Sequence, residues 1–280
     1  MPGIHSRSER VARGVGRLLC VLGLLFLVVP IVIVMPLSFS GDSLFSYPMH
    51  GVSLRWYEAL VQSDAWRRAL RNSLIVGLGT TLIATALGTV AAVGLSRLRP
   101  QWRALLVGVL ISPMIVPGVV IALGLFLFYS PLGLAGNLTG IVAAHTILGI
   151  PFVVITLSAA LLSFDTNLMR AAANLGAAPF TAHRRVMLPL ILPALVASAL
   201  FVFVTSFDEF IVASFLAGPE QYTLPLQMWS GVHDDVNPTI LAAATLFVLT
   251  SVLLLVAVEV LRRRTERLAG GERIARPPAR

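Results

Sequence analysis

The chain has 280 residues, 57% of them hydrophobic and only 12% charged, against the roughly 25% charged residues of an ordinary soluble domain. That composition describes a membrane protein, and the length suits one helical bundle rather than two domains. The formal net charge of +8 would point to nucleic acid in a soluble protein; here the arginines flank apolar runs, so membrane topology accounts for them and no nucleic-acid partner is expected.

All 21 basic residues are arginine. Without lysine the chain cannot carry the P-loop that cradles ATP phosphates, a Ser-Lys dyad or a lysine Schiff base. Cys20 is the single cysteine and lies in an apolar run, so neither an internal disulfide nor a cysteine metal cluster is available. No catalytic residue, metal or bound cofactor is expected.

Residues 1–17 form a polar N-terminal tail with four arginines. Leu18 to Leu37 is apolar for about the ~20 residues that a spanning helix needs; no Ala-x-Ala cleavage site follows, so it reads as a retained first span. Leu54 to Leu70 places Trp56, Tyr57, Leu60, Val61, Trp66 and Leu70 at near-helical spacing, as in a helix lying at the headgroup level. A second span is predicted over Ser73–Leu95, with Ala84, Gly88 and Ala92 as a small-residue stripe that lets another helix come close. A third is predicted over Ala104–Phe128, bent by Pro113 and Pro117, whose freed carbonyls suit a wet or partnered path. A fourth runs over Ile141–Leu162. Its His145 reads as a hydrogen-bonded packing residue, since no second histidine or carboxylate lies at helical spacing. A fifth is predicted from Leu190 to about Ala213. Ser214–Pro238 reads as a polar loop, Thr239–Val260 as the sixth span, and residues 262–280 as a partly disordered tail with seven arginines.

Between the fourth and fifth spans lies a polar-leaning stretch, residues 163–189. Leu168, Ala171, Ala172 and Leu175 share one face of a short helix. Gly176 ends it, because only glycine takes the left-handed C-terminal conformation freely. Pro179 opens a second short helix, and Pro189 is expected to open the next span. With six spans and an inside N-terminus, the cytoplasmic pieces hold seventeen arginines and the outer ones only Arg55, Arg67, Arg68 and Arg71. Both termini and this loop then face the cytoplasm. The cluster Arg67, Arg68 and Arg71 departs locally from that rule.

The loop resembles the one shared by permease subunits of ABC importers, Glu-Ala-Ala-x-x-x-Gly-x(9)-Ile-x-Leu-Pro. Ala171, Ala172, Gly176, Val186, Leu188 and Pro189 fall on the pattern, while Arg170 stands where the family usually has Glu. The resemblance implies an all-α integral membrane protein with six transmembrane helices and the type I ABC importer permease fold. The permease domain would span residues 18–261, with a core of about 73–260 and the coupling loop at 163–189. It implies that Arg170, Ala171, Ala172, Gly176, Ala177, Arg184, Arg185, Leu188 and Pro189 form the surface that seats an ATPase. It also implies a bacterial inner-membrane location, a second permease as a heterodimer partner, two ATPase subunits that carry the ATP and magnesium, and an extracytoplasmic substrate-binding protein.

The fifth span carries Ser206-Phe207-Asp208-Glu209-Phe210. Charges inside a span are expensive, about 3 kcal/mol on insertion scales, and such residues face a cavity or a partner. Neighbouring helical residues point about 100° apart, so Asp208 and Glu209 are expected to divide the work: one faces the pathway while the other pairs. With Pro113 and Pro117 they are the substrate-pathway candidates. The run Ser206–Pro225, with Gly218-Pro219 and Thr223-Leu224-Pro225-Leu226, resembles the spermidine/putrescine branch of these permeases. A protonated amine suits a carboxylate in a low-dielectric passage. Related permeases for iron, opines, aminoethylphosphonate or thiamine carry similar stretches. Rivals outside the class are an ion-coupled secondary transporter using Asp208 and Glu209, and an intramembrane enzyme, against which stands the lack of a nucleophile–base spacing.

Overall fold

The computed structural model describes residues 7–42, 49, 51–234 and 238–274; the first six and last six residues of the two predicted tails lie outside it. Among the described residues the regular structure is helical: α1 (Arg7–Leu37), α2 (Arg55–Gln62), α3 (Asp64–Leu95), α4 (Pro100–Ile111), α5 (Gly118–Tyr129), α6 (Leu138–Leu162), α7 (Asn167–Asn174), α8 (Pro179–Ala182), α9 (Leu188–Phe207), α10 (Ile211–Leu216), α11 (Leu224–Asp234) and α12 (Thr239–Ile274). Five helical runs are long and apolar enough to cross a membrane: Gly14–Leu37, Asp64–Leu95, Leu138–Leu162, Pro179–Phe207 and Thr239–Val260. A sixth crossing is available from the pair Pro100–Met114 and Gly118–Tyr129.

Several boundaries differ from the sequence expectation. The predicted interfacial helix breaks at Ser63, so Trp66 and Leu70 belong to α3, which starts nine residues earlier than expected. The third span is not one bent helix but two, turned 95° apart. A 3-10 turn over Ser112–Met114 precedes the break, and Pro117 caps α5 with an extended backbone. Pro117 cannot donate to the turn before it and disfavours a helical Val116, so the α ladder stops there. The predicted polar loop after the fifth span is largely helical, as the end of α10, a 3-10 turn at Pro219–Gln221 and α11. The last helix continues past Arg262 as far as Ile274.

The chain divides into two compact units, residues 1–63 with 231–248 and residues 64–230 with 249–280. In the first, an antiparallel bridge joins Ser40 to Val52. The Trp56 indole N–H donates to the Ser40 carbonyl at 2.9 Å, and the Ser38 and Tyr57 hydroxyls lie 2.7 Å apart. These contacts fasten α2 to the end of α1.

The second unit is built on α3, α6 and α9, which pack on one another. The predicted stripe is its seam: Ala84, Gly88 and Ala92 are all buried. A Cβ on Gly88 would lie 2.6 Å from Cβ of Val153, so only glycine permits this approach of α3 to α6. Ala84, Ala92, Val153, Leu157 and Val202 form one apolar cluster, and Val76, Ala122, Tyr129, Ile141, Ala144, Val212 and Leu216 another, which α5 and α10 complete. Asn137 caps α6 by accepting the Gly140 N–H at 2.9 Å.

Candidate functional site: a coupling-type loop and a polar knot beside a cavity

The coupling-type loop has the predicted form. After α7, the Ala177 N–H donates to the Ala172 carbonyl and the Gly176 N–H to that of Ala173, at 3.0 and 2.9 Å. Gly176 sits at φ +82°. That is a Schellman ending, which needs the left-handed residue that glycine supplies. Pro179 then starts α8.

Pro189 stands in the first turn of α9, as expected, but the helical run does not begin there. The helical run continues from α8 through a π turn at His183–Met187 into α9. Proline has no N–H to return to the Arg185 carbonyl, and the ladder has already widened one step earlier, where the Leu188 N–H donates to the His183 carbonyl. The second half of the loop is thus a helical extension of the fifth span.

Arg170, Ala171, Gly176, Arg184, Arg185, Leu188 and Pro189 are exposed, while Ala172 and Ala177 are half-buried. Phe180, which no sequence pattern singled out, is 76% exposed, and Leu175 is 89% exposed. Large apolar side chains this bare on a short loop are available for contact with a protein or a membrane surface. Behind them the loop is tied to the rest of the unit by His183. Its Nδ1–H donates to the Pro179 carbonyl at 2.6 Å, which leaves Nε2 to accept from the Arg97 guanidinium.

At the other end of the fifth span the structure brings together residues from different helices. Asp208 and Glu209 do not lie inside the span, as the sequence suggested. The helix α9 ends at Phe207, Asp208 is its C-cap, and α10 restarts at Ile211. Glu209 makes this break: its Oε1 accepts the Val212 N–H at 2.8 Å and its Oε2 the Ala213 N–H at 3.0 Å, closing the first turn of α10. Nε2 of His145, on α6, lies 3.2 Å from Oε2 of Glu209 without meeting hydrogen-bond geometry. Nδ1 of His145 lies 2.9 Å from the Ser206 hydroxyl. His145 is therefore a packing residue as read, but one with a carboxylate and a hydroxyl as partners.

This knot forms one wall of a cavity of about 260 Å³, lined also by Met114, Leu148, Gly149, Phe152 and Thr205. Met114 comes from the same 3-10 turn as Pro113, but neither Pro113 nor Pro117 is in the lining. Asp208 is exposed, does not line the cavity, and its carboxylate has no partner among the described residues. Of the two carboxylates, Glu209 both pairs and lines the cavity, while that of Asp208 has no partner among the described residues.

Ser206, His145 and Glu209 also have the composition of a hydrolytic triad, a grouping invisible as a linear spacing. The arrangement lacks the rest of such a site. Ser206 lies within α9, so the N–H groups beside it are spent on the helix ladder and none is left to stabilise an oxyanion.

Residues 84–267 match the family described as binding-protein-dependent transport system inner membrane component. The spermidine/putrescine transport system permease protein PotC of Shigella flexneri is 32% identical over 247 residues, 88% of this chain and 93% of that protein. The putrescine transport system permease protein PotI of Escherichia coli (strain K12) is 34% identical over 233 residues, 80% of this chain and 82% of that one. The fold is similar to that of a chain in the crystal structure of a bacterial ABC transporter involved in the import of the acidic polysaccharide alginate, with a TM-score of 0.71, 18% identity and coverage of 92% and 98%. The chain belongs to the family of binding-protein-dependent transport system inner membrane components: it is a multi-pass ABC importer permease, a transport component rather than an enzyme.

Proposed function

We propose that this permease passes polyamines of the spermidine/putrescine class inward, driven by a separate ATPase. The observation that carries the proposal is the carboxylate of Asp208, exposed at a helix break and without a partner among the described residues. A protonated amine gains most from a carboxylate whose oxygens are free to meet it, and those of Glu209 are occupied by the Val212 and Ala213 N–H groups. Between unit charges 4 Å apart the attraction is about 4 kcal/mol at an effective dielectric of ~20. The names of the PotC and PotI relatives support the same substrate class.

In this reading two ATPase subunits bind ATP and magnesium, one seated on the loop at 163–189, with Leu175 and Phe180 as its apolar anchors and Arg170 in place of the family's usual acid. A second permease completes the pathway and an extracytoplasmic binding protein delivers the cargo, while both termini face the cytoplasm.

The test is uptake of labelled spermidine by the assembled transporter in vesicles, with the binding protein present. Uptake that stops when ATP is withdrawn, with ion gradients held constant, supports the reading; uptake driven by the gradient alone would sink it. If unlabelled thiamine, an iron chelate or an aminoethylphosphonate competes better than putrescine, the transporter class stands and the polyamine assignment falls.

A further inference from the structure

The arginine cluster that departs from the positive-inside rule has an unequal fate in the structure. Arg67 pairs with Asp64 and Arg68 with Glu220, whereas Arg71 has no partner among the described residues. Arg71 and Arg67 stand one turn apart on α3 with Leu70 between them, and Leu74, Ile75 and Leu78 continue this face below as a shallow, exposed apolar groove along the one helix.

The length of α3 places this groove relative to a bilayer. The helix has 32 residues, about 48 Å at 1.5 Å per residue, against a hydrocarbon core of about 30 Å. Leu74 to Leu95 alone fills that core. Arg71 and Arg67 then stand roughly 5 and 10 Å beyond it, where the phosphates of one leaflet lie, and Leu74 and Leu78 lie against the first carbons of the acyl chains.

We propose that this groove is a binding site for an anionic phospholipid, with the phosphate on Arg71, Arg67 beside it and an acyl chain along Leu74 and Leu78. The charge favours a lipid over a protein helix. A guanidinium forms paired hydrogen bonds to a phosphate; a headgroup without a choline ammonium leaves that phosphate's charge uncompensated and adds no cation beside Arg71, and a helix laid in the groove would leave Arg71 unpaired unless it supplied an acid at that level. Such a lipid accounts for a positive residue kept on the side that carries few, because the phosphate neutralises it locally.

The test uses the full transporter complex, purified, stripped of lipid and titrated with palmitoyl-oleoyl phosphatidylglycerol or phosphatidylcholine, with retained lipid counted by native mass spectrometry. Phosphatidylglycerol should be held at about tenfold lower concentration than phosphatidylcholine, the ratio expected from one charged contact of about 1.4 kcal/mol. Arg71→Gln should bring the two lipids within about twofold of each other, and Arg71→Lys should fall between. In the unaltered protein, photoactivatable phosphatidylglycerol should label the stretch 70–78. Equal retention of the two lipids, an unchanged preference in Arg71→Gln, or labelling elsewhere alone overturns the proposal. So does a disulfide between Leu78→Cys and a cysteine on the second permease, which would show the groove covered by protein. None of these outcomes bears on the cargo.

Discussion

The side-chain amide of Asn72 donates to the main-chain carbonyl of Tyr222 at 3.0 Å, across 150 residues of sequence. The same amide donates to the Glu220 carbonyl at 2.9 Å, the Ser73 hydroxyl accepts the Leu224 N–H at 2.7 Å, and Arg68 reaches the Glu220 carboxylate at 3.4 Å. The start of α3 therefore clasps the connection between α10 and α11. Asn72 and Ser73 are buried, whereas the Arg68 pair is largely exposed and contributes little.

Asn72→Asp should release this connection. A carboxylate facing two carbonyls replaces both attractions with repulsion, and the part-buried carbonyls of Glu220 and Tyr222 lose their donor. Chymotrypsin should then cleave after Tyr222 at least tenfold faster than in the unaltered protein, while Arg68→Gln changes the rate less than twofold. Equal rates for Asn72→Asp and the unaltered protein would show that the clasp does not hold the loop.

Much of the architecture is legible in the sequence because membranes punish exceptions. Long apolar runs reveal the spans, and the every-fourth-residue stripe of Ala84, Gly88 and Ala92 marks the face that α6 covers. Gly176 and Pro179 mark the loop because glycine and proline each do something no other residue does. The break at Asp208 carries no such punctuation. It rests on Glu209 folding back onto two N–H groups, and any glutamate in a helix looks the same in sequence. The His145 contacts reach across 61 residues to Ser206, beyond any helical periodicity. The widening before Pro189 depends on neighbouring carbonyls, so proline could be read there only as a start.

The seam makes a prediction of its own. Gly88→Leu should destabilise the bundle, because the new Cβ meets Val153 at 2.6 Å and has the Ile150 carbonyl at 3.4 Å, with no flexible atom to give way. Overpacking of this kind costs about 1–3 kcal/mol and more where backbone must shift. Gly124→Ala, with nothing within 4 Å of its Cβ, is the control and should leave thermal unfolding within a degree or two. A Gly88→Leu protein as heat-stable as the control would mean that α3 and α6 do not meet as described.

At the loop, Gly176→Val should abolish stimulation of the partner ATPase without changing membrane insertion, since a β-branched residue resists φ +82°. Phe180→Ala and Leu175→Ala should each weaken ATPase binding about tenfold or more while leaving the fold intact, because both side chains touch little within the chain. Arg170→Glu should weaken assembly if the partner has adjusted to a positive charge. Normal hydrolysis in all four variants would remove the loop from the coupling path.

Orientation is testable in a Cys20→Ser background. Ala182, a natural choice for labelling on sequence grounds, is buried, so Leu175→Cys is the better probe of the loop and Pro219→Cys of the opposite end. A membrane-impermeant thiol reagent should reach Leu175→Cys only from the cytoplasmic side and Pro219→Cys only from outside. Labelling of both from one side would refute the six-span topology.

Asp208 and Glu209 should separate by the kind of damage each substitution does. Asp208→Asn keeps size and leaves every observed contact in place, since the carboxylate has no partner among the described residues. Expression and unfolding temperature should be unchanged while spermidine uptake falls about tenfold, the loss of ~1.4 kcal/mol of attraction. Glu209→Gln trades one carboxylate oxygen for an NH2 group, which cannot accept. Either the Val212 or the Ala213 N–H is then orphaned, and His145 loses its charged neighbour. That costs about 1–3 kcal/mol, so this variant should unfold several degrees lower and lose transport together with yield. A His145→Gln variant should resemble Glu209→Gln in its thermal loss, because it empties the other side of the same contact. If Asp208→Asn transports at the original rate while Glu209→Gln is stable and slow, the roles are reversed: the cargo charge rests on Glu209, and the cavity beside His145 lies on the path.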